Sequence, residues 1–309
     1  MTTIALLSDD SGILDQLAKA FAAEAPEVKI ALPGDIALKD AEVAACWYPP
    51  PGSFASMRRL RLIHSIGAGV DHLDHDPTHP ALPVCRVVDA VQGQGMVEYV
   101  RWTALYYHRR FDQMLARQRE SLWCPPVQRP AGDYHIGVMG VGVLGAAVAM
   151  DLASAGYAVR GWARSAKTLP AIEVFAGTDE FDDFLSGLDM LVNLLPLTAQ
   201  TRGVLNAELF AKLARGAAVV NCGRGAHMVA EDIIAALACG QLGGAVLDVF
   251  ETEPLPTSDP LWRTAGVLIT PHMASSSAPA VIVRQVMENA RRVTHGEALL
   301  NEVDRTRGY

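Results

Sequence analysis

HIGVMGVGVLG, residues 135–145, decides the reading of this chain: a short apolar run closes on glycines at 140, 142 and 145. The following AAVAMDLASAGYAVRGW (146–162) reads as a helix and then a second strand. In a strand–turn–helix setting, Gly140-x-Gly142-x-x-Gly145 is a dinucleotide-binding turn. Gly140 permits the tight bend, Gly142 lets the backbone approach a pyrophosphate, and Gly145 lets helix and strand pack closely. Val143 and Leu144 open the helix, whose unpaired N–H groups and positive dipole end suit an anion. The competing reading is a tightly packed turn with no ligand. A membrane span is a poorer one, because the uncharged run 136–150 falls short of the ~20 residues a span needs.

The bulk properties narrow the class. With 309 residues the chain is expected to form two domains. Half of the residues are hydrophobic and 19% charged, as in an ordinary globular protein, and the net charge of -8 argues against a nucleic-acid binder. Five scattered cysteines with no CxxC pair point to reduced thiols in a cytoplasmic protein, neither a disulfide framework nor a zinc site. MTTIALLSDD at the start has no basic region and turns acidic, so it reads as a first strand and not as a signal peptide.

Along the chain, short β-rich runs alternate with helical patterns, as in parallel α/β sheets. In the first third the expected strands are IALLS (4–8), VAACWY (43–48), LIHSI (62–66) and PVCRVV (83–88), with a helix over 12–24. A long amphipathic segment over 96–118 then leads to Trp123 and the prolines at 125, 126 and 130. It reads as a bridge between domains. Trp123 could pack on a partner subunit or cover its own domain. The second series is IGVMG, YAVRGW, MLVNLLP (190–196), AAVVNCG (217–223), GAVLDVF (244–250) and VLITPH (267–272). A last helix, about 278–296, is expected to return to the first domain. The division is therefore 1–97 with 276–309 as a discontinuous substrate domain, and 98–275 as the dinucleotide-binding domain.

Four runs follow strands of the second series, at the ends where open α/β sheets bind ligands: NLLPLT (193–198), NCGRG (221–225), LDVFETEPL (247–255) and TPHMAS (270–275). They offer Arg224, Glu253 and His272. Such a set suits a 2-oxo acid: hydride comes from a nicotinamide, an arginine binds the carboxylate and polarises the ketone, and a histidine gives the proton. A neighbouring carboxylate would favour the charged imidazole and orient it. Taken singly, Arg224 could be a surface or capping residue, Glu253-Pro254 a simple turn and His272 a loop histidine. Their joint placement carries the argument. By contrast, Asp71, His72, Asp74, His75, Asp76 and His79 lie in a segment broken by Pro77 and Pro80, and read as a solvated polar loop with no metal.

GAGVDHL (67–73), GVGVLG (140–145), LLPLTAQTRGVL (194–205), NCGRG, LDVFETEPL and TPH resemble, in order, the motifs of the D-2-hydroxyacid dehydrogenase family. WYPPP (47–51), MVEYV (96–100), WARSAK (162–167) and VDRTRGY (303–309) resemble its glyoxylate- and hydroxypyruvate-reducing branch. The resemblance implies two flavodoxin- and Rossmann-like domains with parallel sheets, an active-site cleft between them, and a homodimer. It implies that His272 is the acid in reduction, Glu253 its partner, and Arg224 the carboxylate and carbonyl anchor. It places the substrate carboxylate on the Gly67–Ala68–Gly69 turn, with Trp47 as a candidate pocket residue, and Leu195, Pro196, Cys222 and Asp248 beside the cofactor. Without the other motifs, Gly67–Gly69 would be an ordinary βα turn and Trp47 a core aromatic. Another 2-oxo acid reductase of the family, or a dinucleotide-sensing binding protein on the same fold, are the alternatives.

An NAD-preferring turn usually has an acidic residue about 20 residues past its first glycine. Here the second strand ends in Ala163-Arg164-Ser165-Ala166-Lys167, with no carboxylate. Arg164 can stack on adenine or fork onto a 2′-phosphate, with Ser165 and Lys167 adding donors. The reading is NADP(H) in preference to NAD(H), with a basic turn that favours neither as the alternative.

Overall fold

The structure, a computed structural model, describes residues 2–73, 76 and 78–304. Asp74, His75 and Pro77 of the polar run, and residues 305–309 of the VDRTRGY run, lie outside them. The chain divides into two units, Met1–Gln92 with Ser276–Tyr309, and Gly93–Ser275.

Unit 1 contains β1 (Thr3–Ser8), α1 (Ser11–Glu24), β2 (Lys29–Ala31), β3 (Val43–Trp47), β4 (Leu62–Ser65) and β5 (Val84–Cys85). Its five strands pair in parallel in the order β2-β1-β3-β4-β5, the doubly wound order of flavodoxin-like sheets. Every residue of β1 and of β4 is buried, as expected of central parallel strands covered on both faces. PVCRVV yields only the two residues of β5. Pro83 has no N–H to give, and the next amides turn elsewhere, Arg86 to the carbonyl of Asn301 and Val87 to that of Gly67.

The helix α2 (Ala90–His108) crosses the division and is followed by α3 (Phe111–Arg119). One continuous segment over 96–118 was expected. The chain instead breaks at Arg110, whose φ of 59° is left-handed. The two helices have different environments: α2 buries Met96, Val97, Val100, Ala104 and Tyr107 in the core of unit 2, whereas α3 buries nothing.

Unit 2 continues with β6 (His135–Met139), α4 (Val143–Ser154), β7 (Ala158–Ala163), β8 (Glu173–Ala176), α5 (Phe181–Leu185), β9 (Met190–Asn193), α6 (Ala207–Lys212), β10 (Ala217–Asn221), α7 (Ala230–Ala238), β11 (Leu242–Leu247) and β12 (Val267–Ile269). Its seven strands are all parallel in the order β12-β11-β10-β9-β6-β7-β8. Successive side chains alternate between two cores. Val138, Val192, Val220 and Val246 face α2 and α4, while Met139, Leu191, Val219 and Leu247 face α5, α6 and α7. The strand order reverses between β6 and β9, the switch point at which such sheets bind ligands. The last helix, α8 (Pro279–His295), belongs to unit 1, where Ile282, Val283, Val286 and Ala290 pack with Leu17 and Phe21 of α1.

Candidate active site

The glycine turn sits at the switch point. Gly140 has φ +100°, and a Cβ on it would stand 2.8 Å from the backbone of Leu194, in the loop after β9. At Gly145 a Cβ would meet the Gly140 carbonyl at 2.0 Å, so only glycine lets α4 start this close to β6. Around Gly142 there is open space, and no side chain caps α4. The first amides of the helix, at Val143 and Leu144, therefore present N–H groups with no intrahelical acceptor. Arg164 and Ser165 are exposed directly after β7, and Lys167 reaches back so that its Nζ donates to the carbonyl of Val141 at 2.8 Å. That contact folds the basic turn over the glycine turn.

The loops after β9 and β10 carry Leu195, Pro196, Cys222 and Arg224. Leu195 N–H donates to Asn193 Oδ1 at 3.3 Å, and the Pro196 carbonyl accepts from Thr201 Oγ1 at 2.8 Å. Cys222 is buried, and that burial pushes its thiol well above the ordinary range. The carbonyl of Arg224 accepts from Asn221 Nδ2 at 3.0 Å. A Cβ on the next residue, Gly225, would lie 1.8 Å from the carbonyl carbon of Phe250, so the arginine loop and the loop after β11 are in direct contact.

Phe250 in turn fixes Glu253, its N–H donating to Glu253 Oε1 at 2.8 Å. The other oxygen, Oε2, is 2.8 Å from His272 Nδ1. Partial burial works to raise the Glu253 carboxyl, but the His272 contact, the Phe250 N–H and the nearby charge of Arg224 together hold it below its ordinary range. Arg224, Glu253 and His272, read from three separate runs, are thus brought together in unit 2. A histidine whose Nδ1 is bound to a carboxylate exchanges its proton with a substrate through Nε2.

His272 itself has a left-handed φ of 50°, a conformation a non-glycine residue holds only when its surroundings impose it. Asp248 imposes it. Its carbonyl accepts the His272 N–H at 2.8 Å, Oδ1 accepts Thr270 Oγ1 at 2.6 Å and Met273 N–H at 2.9 Å, and Oδ2 accepts Ala274 N–H at 2.9 Å. The Thr270 hydroxyl accepts in turn from Tyr99 Oη at 2.5 Å. The resemblance places Asp248 beside the cofactor, and its carboxylate is bonded to the loop that carries His272. Tyr99 and Thr270 were missed from the sequence, since nothing local links residues so far apart.

In unit 1, the three carbonyls of the Gly67–Gly69 turn are occupied, and the Gly67 N–H donates to Ser65 Oγ at 3.2 Å. Ser65 Oγ donates to the Gly69 carbonyl at 2.7 Å, Arg86 Nη1 to that of Ala68 at 3.1 Å and Val87 N–H to that of Gly67 at 3.0 Å. Among the described residues, no acceptor meets the N–H of Ala68 or Gly69. Trp47 lies over the turn, 2.6 Å from where a Cβ on Gly67 would sit. In the polar loop Asp76 accepts from Gly52 N–H at 2.7 Å, and from Thr78 N–H at 2.8 Å and Oγ1 at 2.6 Å. Among the described residues, no group of three or more His, Cys, Asp or Glu is placed to hold a metal ion.

The family model for the NAD-binding domain of D-isomer specific 2-hydroxyacid dehydrogenases matches residues 102–274. A glyoxylate/hydroxypyruvate reductase A of Salmonella paratyphi B is 41% identical over 275 residues, which cover 87% of this chain and 88% of that relative. The chain belongs to the D-2-hydroxyacid dehydrogenase family. This dehydrogenase is accordingly an NAD(P)-dependent oxidoreductase, and unit 2 carries its NAD-binding domain. Among solved structures, a family member from Klebsiella pneumoniae 342 superposes with a TM-score of 0.94 at 46% identity, covering 99% of this chain and 98% of that one. An NADPH-dependent glyoxylate/hydroxypyruvate reductase from Sinorhizobium meliloti, in complex with NADP and sulfate, gives 0.93 at 34% identity, with 100% of each chain covered.

Proposed function

We propose that this dehydrogenase reduces small 2-oxo acids, glyoxylate and hydroxypyruvate, with NADPH, giving a D-2-hydroxy acid from hydroxypyruvate. The observation that carries the reading is the Glu253–His272 pair, at 2.8 Å, held beside Arg224 at the strand ends of the NAD-binding domain.

The nicotinamide supplies the hydride to the carbonyl carbon when it is bound. His272 gives a proton from Nε2 to the carbonyl oxygen, and the neutral imidazole that remains keeps its Nδ1–H on Glu253. Arg224 offers a planar fork of donors to the carboxylate and polarises the neighbouring carbonyl. In unit 1, the Ala68 and Gly69 amides, which meet no acceptor among the described residues, suit a substrate carboxylate, and Trp47 lies over Gly67.

The residues present fit an NADP dinucleotide. Val143 and Leu144 would hold the pyrophosphate at the uncapped end of α4, and Arg164, Ser165 and Lys167 would hold the 2′-phosphate. Leu195, Pro196 and Cys222 would flank the nicotinamide side. The complex of the Sinorhizobium meliloti relative with NADP supports the preference, and no carboxylate follows β7 to receive the 2′-hydroxyl of NAD(H).

The reading includes a homodimer. Trp102, Leu105, Phe111, Leu115, Leu122, Trp123 and Val127 are all exposed along α2, α3 and the arm that follows, Trp123 completely so at 101%. Trp123 therefore does not cover its own domain, and a second copy is the proposed cover. A reducing, cytoplasmic setting is proposed on the five unpaired cysteines; separately, no described helix is long and apolar enough to cross a membrane.

The test is His272→Ala, with NADPH binding followed by fluorescence. Turnover of glyoxylate is expected to fall by about 10²–10⁴ while NADPH still binds, the contribution typical of a general acid. Turnover near that of the wild type in a folded variant would overturn the assignment.

A further inference from the structure

A single imidazole in unit 2 is bonded to two of the proposed ligand-binding loops. His227 follows Arg224 by three residues and is fully buried, at 0% exposure. Its Nδ1 accepts the backbone N–H of Arg224 at 3.0 Å and lies 2.9 Å from Asn193 Nδ2; its Nε2 lies 3.3 Å from the carbonyl of Pro196. A backbone amide can only donate, so Nδ1 is an acceptor and the ring proton sits on Nε2, where it is donated to Pro196.

Asn193 and Asn221, both at 0% exposure, complete the arrangement. Asn193 Nδ2 also donates to Asn221 Oδ1 at 2.9 Å, and Asn221 Nδ2 donates to the carbonyl of Arg224 at 3.0 Å. Gly223 makes the closeness feasible, since a Cβ there would fall 2.8 Å from His227 Nδ1 and 2.9 Å from Asn193 Nδ2. The loop holding Pro196 and the backbone of Arg224 therefore meet at one buried polar node. A node of this kind is fully satisfied in one arrangement, and moving one loop breaks bonds to the other.

We propose that His227 is a positioning residue that couples the two loops, so that NADPH binding on the Pro196 side sets the geometry of Arg224 on the carboxylate side. The proposal rests on the function given above for the identity of the two ligands. It predicts that the two halves of the ring have separable effects.

In His227→Asn the amide oxygen replaces Nδ1 as acceptor and the Nε2 donor is lost. In His227→Gln the amide nitrogen replaces the Nε2 donor and the Nδ1 acceptor is lost. His227→Asn is expected to weaken NADPH in the binary complex by about three- to tenfold, the effect of one buried hydrogen bond, with the KM for glyoxylate changed less. His227→Gln is expected to raise the KM for glyoxylate by a similar factor, with NADPH affinity near that of the wild type. In both, the factor by which NADPH tightens binding of the unreactive analogue oxamate should fall toward one.

Two variants that alter both constants equally, as a general loosening would, overturn the coupling alone. A wild type that does not bind NADPH overturns the underlying reading and this proposal with it. A measurement on the wild type needs no variant to fold: the ¹⁵N shifts of the His227 ring should report the Nε2–H tautomer and move when NADPH or oxamate binds singly. Shifts that move with neither ligand overturn the proposal.

Discussion

Asp248→Asn isolates what the carboxylate under the His272 loop contributes. The substitution keeps the shape and removes one acceptor. If the amide oxygen stays with Thr270 Oγ1 and Met273 N–H, the new NH₂ group faces the N–H of Ala274, which Oδ2 of Asp248 accepts at 2.9 Å. Asp248 is 1% exposed and Ala274 4%, so water cannot readily replace the lost acceptor. Two buried donors then face each other unsatisfied, each costing about 1–3 kcal/mol, or about 2–6 kcal/mol together. For a unit of this size that is a drop of about 5–20 °C in Tm. Because the same bonds impose the left-handed backbone of His272, kcat for glyoxylate should fall further than the affinity for NADPH. The assay pairs thermal unfolding followed by circular dichroism with steady-state kinetics. Tyr99→Phe, one step along the chain of bonds, should lose less by itself and show non-additivity with Asp248→Asn. A variant that melts within a degree of the wild type and turns over normally would refute the bracing role.

Three further outcomes follow from the site. Glu253→Gln removes a carboxylate held below its ordinary value of 4.5, so the stabilising contribution is present above that pH and disappears as pH falls through the lowered value. The Tm gap between wild type and variant should therefore close in acid, and the alkaline fall in reduction rate should move to lower pH; unchanged curves would remove Glu253 from the pair. Arg224→Lys keeps the charge but not the fork, and kcat/KM for glyoxylate should fall at least tenfold, whereas equal reduction of glyoxylate and of a simple aldehyde by the wild type would show that no carboxylate anchor operates. Arg164→Ala should lower the ratio of kcat/KM for NADPH over NADH by roughly tenfold to a hundredfold, the size of a charge-assisted contact, and an unaltered ratio would mean that another group reads the phosphate.

The parts of the molecule that were legible in the sequence are those whose physics is local. The glycine turn at 140–145 announces itself because each glycine answers to a neighbour within a few residues or to the adjoining strand end. The strands of unit 2 are continuous apolar runs, and their ends point to Arg224, Glu253 and His272 without any knowledge of how they meet. The break at Arg110 carried no such mark, since no glycine or proline signals it and burial alone separates α2 from α3. Short β2, Lys29–Ala31, and the half-buried β8, Glu173–Ala176, lack the length that makes a strand visible. The node of Asn193, Asn221 and His227 was hidden for another reason. Three ordinary polar residues, at the ends of β9 and β10 and in the loop after β10, acquire meaning only when the sheet brings Asn193 within 3 Å of both Asn221 and His227.

The union of α1 with α8 bears on how the chain is made. Phe21 and Leu17 wait for Ile282, Val283 and Val286, which leave the ribosome more than 250 residues later. Unit 2 is an uninterrupted segment, Gly93–Ser275, and can complete its sheet before α8 is synthesised. During that interval, at about 5–20 residues per second, the flank of α1 that packs on α8 has no native cover, and a chaperone that holds nascent chains has a target there.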